Sequence, residues 1–205
     1  MKIAVFGGTG GTGRLIIEQA MDSGHQITAL VRDPARLSEA AKQADIIVGD
    51  VLNTEKVCET ISGVDAVTVS LGNRSDSPEN TVSEGTRNII TCMNEVQVKR
   101  LIVVTSLGVG NSKNQVPMAF KLVMKTVMRK IMADKELQEK FVHNSGLDWV
   151  IVRPGELSND PPSGACVYGT APSIMAGKVS RADVAEFVLR NLNDDQFLGQ
   201  AVAIT

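Results

Sequence analysis

The chain has 205 residues, 43% hydrophobic and 21% charged, the profile of a globular protein built as one domain. A net charge of −2 and an aromatic content of 3% argue against nucleic-acid or anionic-membrane partners and against base-stacking platforms. Three cysteines (Cys58, Cys92, Cys166) and two histidines have no metal-binding spacing, so the cysteines read as small apolar residues in a reducing compartment.

The first strand, "KIAVF" (2–6), starts two residues into the chain, with no basic and apolar leader before it. No apolar run approaches the ~20 residues of a membrane span, and a cytoplasmic location is expected. The loop "GGTGGTG" follows and opens a helix over about 12–22 that stops at Gly24. Gly8, Gly10 and Gly13 spell G-x-G-x-x-G, whereas Gly7, Gly10 and Gly13 spell the longer G-x-x-G-x-x-G. In either register a glycine turn between a strand and a helix aims backbone N–H groups at an anion, as in dinucleotide-binding folds.

The second strand, "QITALV" (26–31), ends at Arg32, with Arg36 one turn further on. An NAD site commonly offers a carboxylate there, whereas two guanidinium groups suit a 2′-phosphate, so NADP(H) is the expected cofactor. Asp33-Pro34 reads as the cap of a helix over 34–43. A strand at 45–49, a helix at 54–62 ending at Gly63, a strand at 65–71 and a helix at 79–95 come next. The strand "RLIVVTS" (100–106) precedes a Met-rich helical stretch, 117–144, in which Phe120, Met124, Val127 and Ile131 form a stripe. That stripe reads as an amphipathic helix on the sheet, an adaptable Met-lined wall, a dimer face or an attraction for an acidic ligand.

The strand "DWVIVR" (148–153), the loop "SNDPPSG" (158–164), a helix at 181–192 begun by the capping box "SRAD", and a last strand "QAVAIT" complete the chain. The strands are almost continuously apolar, as parallel strands covered on both faces are. The reading is therefore an α/β, Rossmann-like, doubly wound parallel sheet, with 1–205 as a single domain and the substrate pocket at the carboxyl ends of the strands.

The set "FGGTGGTG", "LVRDPARL", "VGDV", "SLGNR", "SEGTRNII", "VVTS" and "SGLDWVIVRPGEL" resembles the atypical, NmrA-like short-chain dehydrogenase family, and within it the NADPH-dependent flavin and biliverdin-IXβ reductases. The resemblance selects the register Gly7, Gly10, Gly13, and it implies that these with Thr9, Gly11 and Thr12 surround the pyrophosphate. It implies Arg32 and Arg36 at the 2′-phosphate, Asp50 and Val51 at the adenine, Leu71 and Gly72 along the ribose, and Arg74 near the phosphates or pocket rim. Thr105 and Ser106 would reach the nicotinamide half, and Pro154, Gly155 and Leu157 would pass close to its amide.

Carbonyl-reducing members use a Tyr-x-x-x-Lys pair. Here Ile131 stands in the tyrosine place and Lys135 in the lysine place, and the lone tyrosine is Tyr168. Lys135 would then hydrogen-bond the nicotinamide ribose. A flavin needs no such tyrosine, so FMN or riboflavin is the expected substrate rather than a prosthetic group, with biliverdin and quinones as further acceptors. Ser106 is the candidate catalytic contact to the acceptor. Glu156 replaces a family histidine and would repel tetrapyrrole propionates, and "VTSLGVGNS" lacks the bulky aromatics that family members carry beside the pocket. A monomer is expected, a dimer being open. The competing reading is a non-catalytic NADP(H) sensor that binds a partner protein.

Overall fold

The computed structural model describes residues 1–73 and 77–205. Among these the strands are β1 (Lys2–Phe6), β2 (Gln26–Val31), β3 (Asp45–Val48), β4 (Ala66–Val69), β5 (Arg100–Val104), β6 (Asp148–Pro154), β7 (Glu156–Ser158), β8 (Tyr168–Gly169), β9 (Lys178–Ser180) and β10 (Gln200–Ile204). The α-helices are α1 (Gly11–Asp22), α2 (Thr54–Ile61), α3 (Thr81–Glu95), α4 (Met118–Lys125), α5 (Arg129–His143) and α6 (Arg181–Arg190). The main sheet runs β3-β2-β1-β4-β5-β6-β10-β8, parallel throughout except for the antiparallel edge strand β8. Strand order reverses between β1 and β4, and that switch point opens a crevice at the carboxyl ends of the strands. None of the described helices is long and apolar enough to cross a membrane.

Alternation along β1 explains why both faces of the sheet are covered. Ile3 and Val5 point into a core formed with Ile16, Ile17 and Ala20 of α1 and with Val184 and Val188 of α6. Ala4 and Phe6 point the other way, toward Val57 and Ile61 of α2, Ile89 and Met93 of α3, and Val142 of α5. A third, smaller cluster (Leu107, Val109, Val116, Met124, Met132 and Ala203 of β10) supports α4 against the sheet.

Three expectations need correction. Residues 34–43 form two short 3-10 turns (Pro34–Arg36, Ala41–Gln43) rather than one helix. Asp33 does cap, accepting from the Ala35 N–H, but the backbone is extended again at Leu37 and only Leu37 and Ala41 anchor the segment in the core. The 117–144 helix is two helices, broken at Thr126, where the backbone leaves the helical region (φ −110°, ψ −83°) and the hydroxyl donates to the Leu122 carbonyl. Two of the three cysteines are not free thiols: Cys58 of α2 and Cys92 of α3 are joined in a disulfide, their Cα atoms 5.2 Å apart. Cys166 is the free one.

Other local signals are realised. Ser180 Oγ caps α6 by accepting from the Asp183 N–H, the forward half of a capping box, while the Asp183 carboxylate accepts from the Ser180 hydroxyl rather than from its backbone N–H. Asp183 then accepts from the Ser163 and Gly164 N–H groups, which folds the "SNDPPSG" loop back onto the start of α6.

Candidate cofactor and acceptor site

The β1–α1 loop is set by backbone contacts that only glycine permits. Gly7 has φ +91°, and a Cβ there would lie 2.5 Å from the Ser70 carbonyl oxygen of the neighbouring crossover. A Cβ on Gly13 would lie 2.2 Å from the Gly7 carbonyl oxygen and 2.6 Å from Ser70 Oγ, so α1 can approach the sheet only as glycine. Gly10 differs: its backbone is ordinary (φ −80°, ψ 161°), and among the described residues a Cβ would meet only Gly7 O, at 3.3 Å. Gly8 is buried, and its Cβ would meet the Ile17 Cδ1 methyl. Among the described residues no side chain caps α1 and no carboxylate lies in its first turn, so its N–H groups open onto the cleft.

The cleft, about 440 Å³, runs from β3 across the switch point to β6. Gly7, Thr9, Gly10, Gly11 and Thr12 line its centre, whereas Gly13 lies behind them and packs α1 on β1. Arg32 and Arg36 line one end; Arg32 Nη1 donates to Ser77 Oγ at 3.1 Å and lies 3.9 Å from the Asp50 carboxylate. Asp50 is not the cap of α2, a role Asn53 fills by accepting from the Lys56 N–H. It accepts instead from the Leu52 N–H, which keeps it and Val51 at the cleft wall. A Cβ on Gly85 of α3 would strike Val51, so α3 holds that wall in place. Leu71 and Gly72 line the middle; Arg74 lies outside the described residues.

At the other end are Thr105, Ser106, Lys135, Pro154, Gly155 and Leu157. Lys135 Nζ donates to the Thr105 carbonyl at 3.2 Å, and Thr105 Oγ1 donates to Glu139 Oε1 at 2.8 Å. Burial pulls the Lys135 ammonium down to about 8, against the opposing pull of Glu139 and Asp134. Asp134, one residue earlier on α5, accepts from the Val82 and Ser83 N–H groups and so caps α3, which Asn80 leaves uncapped. Glu139 also forms a buried two-point ion pair with Arg153 of β6, at 2.9 and 2.6 Å. The pair fixes α5, and with it Lys135, against the ends of β5 and β6.

A second cavity of about 470 Å³ shares Ser106, Pro154 and Gly155 with the cleft. Its remaining walls come from Leu107, Val116, Pro117 and Phe120 on one side and from Glu156, Ala176, Gly177 and Lys178 on the other. Phe120 supplies an aromatic wall from outside the "VTSLGVGNS" stretch. Tyr168 lies elsewhere, its ring against Phe187 and its hydroxyl accepting from Arg190. Among the described residues neither the cleft nor the cavity is lined by tyrosine or histidine.

Several cleft residues escaped sequence reading, Arg181, Asn73 and Ser70 among them. Arg181, the first residue of α6, lays its side chain across Gly11 and donates to Asn159. Asn73 lines the cleft and, with Ser70, has a buried oxygen without a hydrogen-bond partner among the described residues.

A turn that excludes a Cβ at Gly7 and Gly13, uncapped helix N–H groups, unanswered buried oxygens and cations at one end fit a dinucleotide, which places the chain among Rossmann-type dinucleotide-binding proteins. The NAD(P)H-binding family model matches residues 7–195, and the chain belongs to that family. An uncharacterised chloroplastic protein of Arabidopsis thaliana is 30% identical, over 99% of this chain and 76% of its own length. Among solved structures, the anaerobilin reductase ChuY of Escherichia coli O157:H7 superposes with a TM-score of 0.85 at 23% identity, covering 100% of this chain and 96% of that one. A short-chain dehydrogenase/reductase of Veillonella parvula in complex with NADP gives a TM-score of 0.83 at 17% identity, covering 99% and 93%.

Proposed function

We propose that the protein is an NADPH-dependent reductase of planar acceptors, with free flavin (FMN or riboflavin) as the first candidate and bilins or quinones as alternatives. The observation that carries this reading is the second cavity, which meets the cofactor cleft at Ser106, Pro154 and Gly155, where the resemblance puts the nicotinamide end. NADPH, when bound, supplies a hydride. The uncapped start of α1 and Gly10 receive the pyrophosphate, Arg32 and Arg36 favour a 2′-phosphate over a bare ribose, and Lys135 holds the ribose near the acceptor.

Lacking a tyrosine, the site suits acceptors that take hydride without an enzymic proton donor of that kind. Positioning then supplies much of the catalysis. Leu107, Val116 and Phe120 exclude water from one side of an acceptor ring, and Ser106 Oγ, whose one bond among the described residues is a 3.0 Å donation to the Leu107 carbonyl, can turn toward a polar edge. The name of ChuY, a bilin reductase of the same fold, is compatible with an acceptor of this shape.

The test is acceptor-dependent oxidation of NADPH and NADH across FMN, riboflavin, biliverdin and quinones. Turnover with NADPH well above NADH on at least one planar acceptor is expected. No turnover on any of them overturns the proposal.

A further inference from the structure

Charge is unevenly distributed along the chain. Between residues 109 and 133 there are five cations (Lys113, Lys121, Lys125, Arg129, Lys130) and no carboxylate, leaving 16 cations against 23 carboxylates in the rest. The whole-chain value of −2 therefore averages a basic segment with an acidic body. That segment is α4, the break after it and the start of α5.

Around α4, successive residues turn by about 100°. Met124 points inward to the Leu107–Val116 cluster and Phe120 to the acceptor cavity. The opposite side carries Met118 and Leu122, 81% and 66% exposed, on one i,i+4 row. Val127, in the break, is 84% exposed, and Val123 lies on the flank. The adjacent i,i+4 row is Lys121 and Lys125. Lys113 is paired with Glu136, Lys130 with Glu79, and Lys121 donates to Asn114. Lys125 and Arg129 have no side-chain partner among the described residues.

We infer that this outer face of α4 and the following turn dock on an anionic phospholipid surface, the helix lying in the plane of the interface. An exposed apolar ridge beside a row of long cations is the pattern of an interfacial helix: the ridge enters the acyl boundary and the cations reach back to the headgroups. Eight helical residues span only about 12 Å, enough to lie on a bilayer and far too little to cross one. A second copy of the chain fits less well, because it would bring the same five cations to the contact with no carboxylate of this segment to answer them.

The experiment is co-sedimentation of the full chain with vesicles of phosphatidylglycerol and phosphatidylcholine, and of phosphatidylcholine alone, at low and high salt. Binding to the anionic vesicles alone, weakened by salt, is expected. Met118→Ser/Leu122→Ser and Lys125→Glu/Arg129→Glu should each weaken it at least about tenfold. Exposed apolar residues elsewhere serve as the control, Val167→Ser/Met175→Ser leaving it unchanged. Circular dichroism and NADPH fluorescence titration establish that each variant is folded, and they do so whether or not the protein proves to be a reductase. Failure of the wild type to sediment, sedimentation of the ridge and cation variants at wild-type levels, or a dimer in solution that Leu122→Ser dissociates overturns the inference.

Discussion

Replacing Gly10, Gly13 and Gly8 by alanine, one at a time, separates the loop's role in folding from its role in binding. In Gly13→Ala the new Cβ lies 2.2 Å from a backbone oxygen, where non-bonded carbon contacts ordinarily settle near 3.5 Å. No rotamer relieves this, so α1 must recede from the sheet by roughly 1 Å, a change of the size that costs about 1–3 kcal/mol in a packed core. Displacing the helix start also weakens NADPH binding. In Gly10→Ala the nearest atom among the described residues is 3.3 Å away and the backbone is already ordinary for alanine, so folding stability should stay within about 0.5 kcal/mol of wild type. The methyl instead stands in front of the uncapped N–H groups. Loss of one charge-assisted hydrogen bond, about 1.5–3 kcal/mol, weakens NADPH roughly 10- to 150-fold. Gly8→Ala displaces only the end of Ile17, which can turn, and should leave affinity intact. The assays are NADPH fluorescence titration and thermal denaturation of each apo variant. Full affinity in Gly10→Ala together with lost affinity in Gly8→Ala would refute the longer register.

Arg32→Ala should raise the Kd for NADPH by about tenfold or more while leaving NADH within a few-fold, as measured by parallel titrations. Equal losses for both would move Arg32 away from the 2′-phosphate. Lys135, with its ammonium held down to about 8, should lose charge as pH rises through that value, so NADPH affinity falls above pH 8. Lys135→Met should abolish this dependence. Because the folded chain holds that proton less tightly than an unfolded lysine does, Lys135→Met should also raise the apo melting temperature at neutral pH, an advantage that fades from pH 8 upward. Arg153→Met leaves the Glu139 carboxylate buried without its partner and should cost about 3–5 kcal/mol, at roughly 2–4 °C of Tm per kcal/mol. A melting curve unchanged from wild type would remove the pair from the fold's supports.

The sheet was legible because parallel strands buried on both sides are written as unbroken Val/Ile runs, and the glycine loop because its strand–turn–helix context is local. The break at Thr126 was not legible: no glycine or proline marks it, and it follows from where α4 and α5 separately find apolar support. The Cys58–Cys92 disulfide depends on α2 and α3 lying side by side, a tertiary fact that 34 residues of separation conceal. Most of the cleft could be read from strand ends, yet the acceptor cavity could not. Its walls come from α4, from the turn after β5 and from residues 176–178, which only the fold assembles. Arg181 left a usable trace. A cation at the first position of a helix opposes the helix dipole, and such a local conflict marks a residue placed for another purpose.

The central claim, hydride transfer from NADPH to a planar acceptor, is tested most directly by an anaerobic single turnover. Protein saturated with NADPH is mixed with FMN, and flavin bleaching is followed with protio NADPH and with each of its two C4-deuterated forms. The account predicts stoichiometric bleaching that is slowed by deuterium on one face of the nicotinamide only. Bleaching no faster than in the absence of protein, for FMN and for biliverdin and quinones in its place, would contradict it.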